Sequence, residues 1–390
     1  MTTTIQTDWI RMLPPESKQW TTPQSKIDAL DLVSVRLPTP NKGEVLVKIH
    51  AISLNYRDVQ VCTGKYEHSS SLLPPRLGIM ADKPAPETNL VPCSDMCGTV
   101  ILSQDSKIKQ GNRVIALFHQ SFLDGAMDEH DAESTLGYPL HGVLAQYKVF
   151  PATSIVPVPK YLSAQEASCL PLAALAAWSS LESVKFAKTV LLQGTSPVSI
   201  AGLQLAKATG LQTVVTAPSE DHVKRAQELG ADTVINHQTH WEWQDAVLDA
   251  TDKKGVDVIL ETGSTRTLRK SFACVAFGGQ IHAVGNSAGT EDDGDDGGDE
   301  KGKAKTPQLH RLNVGGLALK RNATLRAVLG GSRKQMLDML AFYEKNKIKP
   351  VVGKVFKFEE AKQALEYVAK GEGFGKVVIT LEESDDEKKE

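Results

Sequence analysis

Between residues 44 and 52, apolar and polar positions alternate closely enough to predict a half-buried strand within GEVLVKIHAISLNYRDVQV (43–61). Residues 97–118 predict two short strands around a polar turn at Gln110-Gly111-Asn112, and 142–158 carry a further strand pattern. The first third is therefore β-rich, with Pro and Gly at its turns. Near Ser163 the period changes. Ser163 and Glu166 have capping-box spacing, and ASCLPLAALAAWSSLESV follows as an apolar helical run. Strands are then predicted at 189–193, 213–216, 233–236, 256–261, 280–284 and 324–328, with helices at 199–209, 221–229, 240–251 and 265–276. Such alternation predicts a parallel, doubly wound sheet. After a helix at 334–346, β patterns return in VVGKVFKF and GKVVITL around a helix at 359–370. The chain is expected to leave the α/β domain there and rejoin the first, placing a cleft between the two. The expected division is 1–162, then 163–346, then a return over 347–381.

At 390 residues the chain suits about two domains. Its 41% hydrophobic and 23% charged residues are those of a soluble globular protein. No apolar run reaches the roughly 18 residues of a membrane span. Residues 1–20, with Asp8, Pro14, Pro15 and Glu16, lack the apolar stretch of a signal peptide. Together with five sparse cysteines, these features predict a reduced, cytoplasmic protein with no membrane partner. Cys93 and Cys97 are a close pair, but no further Cys or His stands at ligand spacing beside them. The net charge of −3 is uneven. Residues 291–300 hold seven acids and the tail 382–390 six, and outside these tracts 42 bases face 34 acids. The Gly-rich acidic segment 287–307 predicts a disordered loop insertion. No basic cluster with interleaved aromatics suggests nucleic acid.

The strongest local chemistry is TVLLQGTSPVSIAGLQLAKATG (189–210), a strand, a tight turn and a helix. Dinucleotide sites use this arrangement because glycine lets the backbone approach the pyrophosphate and the helix N-terminus favours it. Gly194 occupies the first glycine place, while Ser196 and Ser199 fill the later two. Pro197 between them has no N–H to donate. The candidate phosphate contacts are Gly194, Thr195, Ser196, Val198 and Ser199, with Ser199 either opening the helix or donating its hydroxyl. A structural turn without ligand leaves the same pattern. After the second strand, VVTAPSEDHVKRA presents no acid to a ribose 2′-OH. Ser219, His222, Lys224 and Arg225 could meet a 2′-phosphate instead, favouring NADPH over NADH. Exposed Lys224 and Arg225 on a helix face are the alternative.

These stretches, with CGTV (97–100), GVLAQYKVFP (142–151), EASCLPLAALAAWSSL (166–181), GVDVILETG (255–263), FGGQIHAVG (277–285) and FGKVVI (374–379), resemble the medium-chain dehydrogenase/reductase superfamily, in its zinc-independent, quinone-reductase-like branch. Their combination looks like the zinc-type alcohol dehydrogenase-like subgroup. The resemblance implies a GroES-like β-rich domain plus a Rossmann domain, Gly263 and Gly285 at the cofactor, and a possible homodimer. Zinc members hold their catalytic metal with Cys, His and Cys; the matching positions here are Asn55, Ser94 and Leu172, with one acid kept as Asp95. The structural zinc lobe would fall at 118–141, which contains no cysteine; His119, His130 and His141 there do not suggest one site. The expectation is no metal. Departures from the subgroup are Ser196-Pro197 in its glycine-rich turn and Ala176 where threonine is common.

Without a Lewis acid, a conjugated carbonyl or quinone is the easier substrate, since conjugation spreads the developing charge over a size that neutral donors can stabilise. By resemblance, Asn55-Tyr56-Arg57-Asp58 lies beside the nicotinamide. Tyr56 is the expected proton donor and Asn55 the group orienting the carbonyl oxygen. Tyr66 is a second tyrosine candidate, and Arg57 with Asp58 a candidate structural ion pair. The expected function is an NADPH-dependent reductase of a small enone, enal or quinone. A zinc-independent alcohol or carbonyl oxidoreductase and a degenerate nucleotide-binding non-enzyme are the alternatives.

Overall fold

The computed structural model describes residues 13–66, 89–184, 186–263, 265–285, 312–371 and 373–381. The acidic segments 287–307 and 382–390 lie outside the described residues. The chain divides into two units: residues up to Leu172 together with those from Gly331 onward, and Ala173–Gly330.

In the first unit, β1 (Glu16–Thr21) and β2 (Asp31–Arg36) form an antiparallel pair. The axis of the larger sheet is β3 (Glu44–Leu54), followed by helix α1 (Tyr56–Cys62), β4 (Asp95–Ser103) and β5 (Arg113–Ala116). A short helix α2 (Glu129–Glu133), strands β6 (Tyr147–Pro151) and β7 (Ile155–Pro157), and helix α3 (Ala164–Ser168) complete this stretch. The Ser163–Glu166 capping box forms as the sequence predicts, Ser163 N–H donating to Glu166 Oε2 at 2.7 Å and Glu166 N–H to Ser163 Oγ at 3.1 Å. The long helix predicted beyond it does not continue. It passes through a π turn at Leu170–Ala174, which contains Pro171, a residue without the N–H that a regular helix needs.

The second unit holds helix α4 (Leu175–Glu182) and a six-stranded sheet, built by β8 (Thr189–Leu192), α5 (Pro197–Thr209), β9 (Gln212–Ala217), α6 (Glu220–Glu228), β10 (Thr233–Asn236), α7 (Trp243–Ala250), β11 (Val256–Glu261), α8 (Thr265–Cys274), β12 (Val275–Ala283), α9 (Val314–Arg321) and β13 (Thr324–Ala327). Its order is β10-β9-β8-β11-β12-β13, all parallel. This is the Rossmann order, and the direction of winding reverses between β8 and β11. The core includes Leu191, Val214, Ile259, Phe272 and Ile281, all buried. Helix α9 was not expected from the sequence, and β12 starts five residues earlier than predicted, through Gly278-Gly279, where its pairing with β11 shifts register.

The chain then returns to the first unit as α10 (Arg333–Asn346), β14 (Val352–Lys357), α11 (Ala361–Lys370) and β15 (Lys376–Thr380). Strand β15 pairs antiparallel with the end of β3, giving the order β14-β15-β3-β4-β5-β7, with β6 also on β3. That pairing carries β3 two residues past its predicted end. The unit boundaries also differ from the expected 163 and 346. Helix α3 stays with the first unit, tied by Ser53 Oγ donating to Ser168 O at 2.8 Å. Helix α10 belongs there too, with Tyr161 Oη 2.8 Å from Tyr343 O and 2.7 Å from Ile348 O. No described helix is long and apolar enough to cross a membrane.

Candidate functional site

At the carboxyl edge of the second unit's sheet, Gly194 follows β8 with φ +66, in open space where no atom lies within 4 Å of a Cβ position. Its N–H donates to Thr216 Oγ1 at 2.8 Å, pinning the turn to β9. Ser196, not Ser199, is the N-cap of α5, its side chain accepting from Ser199 N–H. Pro197 is then the first helical residue, where a missing N–H costs the helix nothing. Ser199 turns inward, its hydroxyl donating to Gln193 O at 2.6 Å, so it offers a phosphate neither hydroxyl nor N–H. The N–H groups of Ser196 and Val198 have no partner among the described residues and stand at the positive end of the helix dipole. A helix N-terminus at the switch point, approached over a bare glycine, fits a dinucleotide.

At the end of β9 the donors outnumber the acids. Ser219 caps α6, accepting from His222 N–H, and His222 Nδ1 lies 2.6 Å from Thr195 Oγ1. Glu220 is turned to β10, where it accepts from Asn236 Nδ2 at 2.5 Å. Asp221 is exposed on the helix with Arg225 3.8 Å away, and Lys224 is exposed. Further along the edge, buried Glu261 accepts from Gln193 Nε2 (2.8 Å), Ser271 Oγ (2.5 Å), Gly263 N–H (2.9 Å) and the Thr267 hydroxyl. Gly263 therefore has its N–H engaged within the protein, and a Cβ there would collide with Thr267. Gly285 is exposed beyond β12. This carboxylate network was missed in the sequence, where its signal is the polar residue ending each of two apolar strands, TVLLQ and VDVILE.

In the first unit, Asn55 is the N-cap of α1 and is nine-tenths buried. Its N–H donates to Asp58 Oδ2 at 2.8 Å. Its side chain is diverted elsewhere: Lys376 Nζ donates to Asn55 Oδ1 at 2.7 Å and to Asp95 Oδ2 at 3.3 Å. Ser94 Oγ donates to Asp95 Oδ1 at 2.9 Å, and Asn55 Nδ2 faces Ser94 Oγ at 3.4 Å. Asn55, Ser94, Asp95 and Lys376 thus close a ring of hydrogen bonds, with Lys376 only 3% exposed. Burial pushes the Asp58 carboxyl up to about 6, against the opposing pull of the Asn55 N–H and Arg57, with Asp95 adding to the rise. Tyr56 is 48% exposed at the first position of α1, with no hydrogen bond to its hydroxyl among the described residues. Arg57 does not pair with Asp58. Its guanidinium donates to Leu136 O (2.9 Å) and Tyr138 O (2.5 Å) and lies over the ring of Tyr66 at 4.4 Å, so Tyr66 is held as a stacking surface.

The alcohol dehydrogenase GroES-like family matches residues 41–160 and the zinc-binding dehydrogenase family matches 197–345. The chain is 35% identical over 349 residues to a zinc-type alcohol dehydrogenase-like protein of Schizosaccharomyces pombe, covering 88% of this chain and 92% of that one. The chain belongs to the medium-chain dehydrogenase/reductase superfamily. Other members similar to it include a 2-methylene-furan-3-one reductase of Solanum lycopersicum, 29% identical over 94% of this chain and 80% of that one, and a quinone oxidoreductase of Mus musculus, 26% identical over 89% and 92%. A crystal structure of an NAD-dependent alcohol dehydrogenase superposes with a TM-score of 0.76 at 26% identity, covering 94% of this chain and all of that one. The fold and the class, an oxidoreductase with a GroES-like and a Rossmann domain, follow.

Asn55, Ser94 and Leu172 stand at the positions that match the superfamily's catalytic metal ligands. An amide, a hydroxyl and Leu172 make a poor zinc donor set, and a buried ammonium already pairs the remaining acid, Asp95. These residues do not fit a catalytic zinc ion. Among the described residues one group of three His, Cys, Asp or Glu has ligand atoms within 4.8 Å of one another: Asp128, His130 and Asp131. It is at the surface, and its carboxylates serve α2, Asp131 N–H donating to Asp128 Oδ1 and Ser121 Oγ to Asp131 Oδ1.

Proposed function

We propose that the chain is an NADPH-preferring, zinc-independent reductase of small conjugated carbonyls or quinones. The observation that carries this reading is the donor set at the positions matching the family's metal ligands: Asn55 and Ser94 can donate hydrogen bonds but neither is a fit ligand for zinc. The bound cofactor supplies the hydride. Asn55 Nδ2 orients the substrate carbonyl and stabilises the charge that grows on its oxygen, a charge small enough in an enone, enal or quinone for neutral donors. The exposed Tyr56 hydroxyl supplies the proton. Relatives named as a 2-methylene-furan-3-one reductase and a quinone oxidoreductase act on such acceptors by their names. The NADPH preference is supported by Glu220 turned away to Asn236, leaving Ser219, Lys224 and Arg225 where an NAD site presents an acid. Five buried free thiols suit the reducing cytoplasm.

Turnover of an enone and its saturated ketone, with NADPH and then NADH, tests the reading. The enone is reduced at its C=C bond, faster with NADPH. Reduction of the ketone with the C=C bond left intact points instead to an alcohol or carbonyl oxidoreductase. A second reading draws on the self-capped turn, in which Ser196 takes up the Ser199 N–H that a phosphate would use. If millimolar NADPH gives no thermal stabilisation, the chain is a non-catalytic member of the family.

A further inference from the structure

Lys376 opens β15 within FGKVVI, a stretch that carries the resemblance without assigning this lysine a role. Its position is nevertheless tightly fixed. Gly375 before it has φ +77, and a Cβ there would lie 2.6 Å from Val351 O, so only glycine lets the chain pass. Lys376 N–H donates to Val351 O at 3.0 Å. The side chain is carried into the unit's interior beside Asn55 and Asp95, although they lie 321 and 281 residues away in sequence.

An ammonium has three donors and no acceptor. The group facing it at 2.7 Å must therefore be the Asn55 oxygen, which settles the orientation of that amide. The directions of the Ser94 hydroxyl and of one Asn55 amide hydrogen then follow, while the third ammonium hydrogen has no acceptor within the ring. Ser94 gives its hydroxyl hydrogen to Asp95, so its lone pairs face Asn55, and Asn55 Nδ2 turns one hydrogen toward them. The second Nδ2 hydrogen has no acceptor within the ring. A cation drawing on the amide oxygen also makes the amide hydrogens more acidic donors, since linked hydrogen bonds polarise one another in a low-dielectric interior.

We propose that Lys376 stands in for a metal as a fixed internal cation, orienting and polarising the Asn55 amide so that its outer N–H donates to the oxygen of a conjugated carbonyl substrate. Lys376 is a positioning residue in this account, and the proposal rests on reading Asn55 as the carbonyl donor. It differs from metal catalysis in that the positive charge acts through one intervening side chain.

The test uses the full-length protein with NADPH and an enone. Because Lys376→Met alone strands Asp95, the charge-balanced pair Lys376→Met with Asp95→Asn is made beside it, together with Lys376→Arg and Asn55→Ala. Thermal melts and NADPH titration confirm folding and cofactor binding. The expected result is a fall in kcat of about tenfold to hundredfold in the balanced pair, the equivalent of one charged hydrogen bond. KM for the enone rises little, Lys376→Arg recovers most of the rate, and the pair brings no further loss when made in Asn55→Ala, because Lys376 acts only through that amide. A balanced pair with full kcat beside an impaired Asn55→Ala overturns the role of Lys376 and leaves the reductase reading standing. If the native protein reduces no enone or quinone, that reading falls and the donation to a substrate carbonyl with it, and the Asn55 side-chain amide signals in ¹⁵N NMR decide whether Lys376 orients and polarises the amide. A large shift in the Lys376 variants supports it, and unchanged signals refute it.

Discussion

Each unit buries a carboxylate in a polar network, and the two networks end differently. Glu261 in the Rossmann unit meets four neutral donors, and Gln193 Oε1 in turn accepts from Thr262 N–H at 3.1 Å. That network holds β8 to β11 and α8. Asp95 in the GroES-like unit meets one hydroxyl and one ammonium, and its ring leaves one amide hydrogen of Asn55 and one ammonium hydrogen of Lys376 unassigned. A nearly buried donor without an acceptor is costly by ~1–3 kcal/mol unless a ligand takes it up. On the reading proposed above, the Glu261 network is a structural device, and the spare Asn55 hydrogen is the one offered to a substrate oxygen.

Breaking the closed network has the largest effect expected. Glu261→Ala strands several buried donors and lowers the unfolding free energy in urea by about 3–5 kcal/mol, while Glu261→Gln costs less. A loss below about 1 kcal/mol would show that the network does not hold the sheet. Breaking the open one acts on rate. Asn55→Ala lowers kcat on an enone by about 10²-fold, the scale of one lost oxyanion donor, with NADPH binding unchanged by fluorescence titration.

Asp58 sharpens the comparison, because it is a third buried carboxyl, beside the open ring but outside it. Its folded value of about 6, against an ordinary 3.8, means that the native state holds the proton more tightly than the unfolded chain. Its contribution is present at low pH and is lost as pH rises from about 4 through about 6, by about 3 kcal/mol. In Asp58→Asn the capping acceptor for Asn55 N–H remains and this slope disappears. The variant therefore gains on the native protein by about that amount between pH 4 and pH 7 in urea melts; equal slopes would place the Asp58 titration elsewhere. The smallest effect tests the cofactor turn. Ser196→Gly costs the α5 cap only a few tenths of a kcal/mol, frees Ser199 N–H, and tightens NADPH binding by about tenfold. Weaker binding would assign the Ser196 hydroxyl itself to the phosphate.

The strand and helix alternation of the Rossmann unit was legible because buried parallel strands such as TVLLQ and VDVILE read as short apolar runs between amphipathic helices. The break in the helix after Ser168 was not, since Pro171 there bends the chain into a π turn without ending it. Helix α9 went unseen, having followed an acidic, Gly-rich tract that masks its pattern. At the site, Asn55 was reached through the resemblance, and its chemistry followed. Lys376 was invisible for a physical reason: a lysine opening an edge-proximal strand reads as solvated, and only the return of the chain beside β3 brings it to Asn55 and Asp95. Ser199 was misplaced for a related reason, because Pro197 suits a first helical position and moves the cap to Ser196.

A carbonyl-reducing site that works without a metal can be tested by one measurement. The rate of NADPH oxidation with a conjugated enone is compared before and after exhaustive chelation, with zinc content determined on the same samples. The expected result is an unchanged rate in protein stripped of zinc. A rate that falls with the zinc and returns when zinc is added would contradict it.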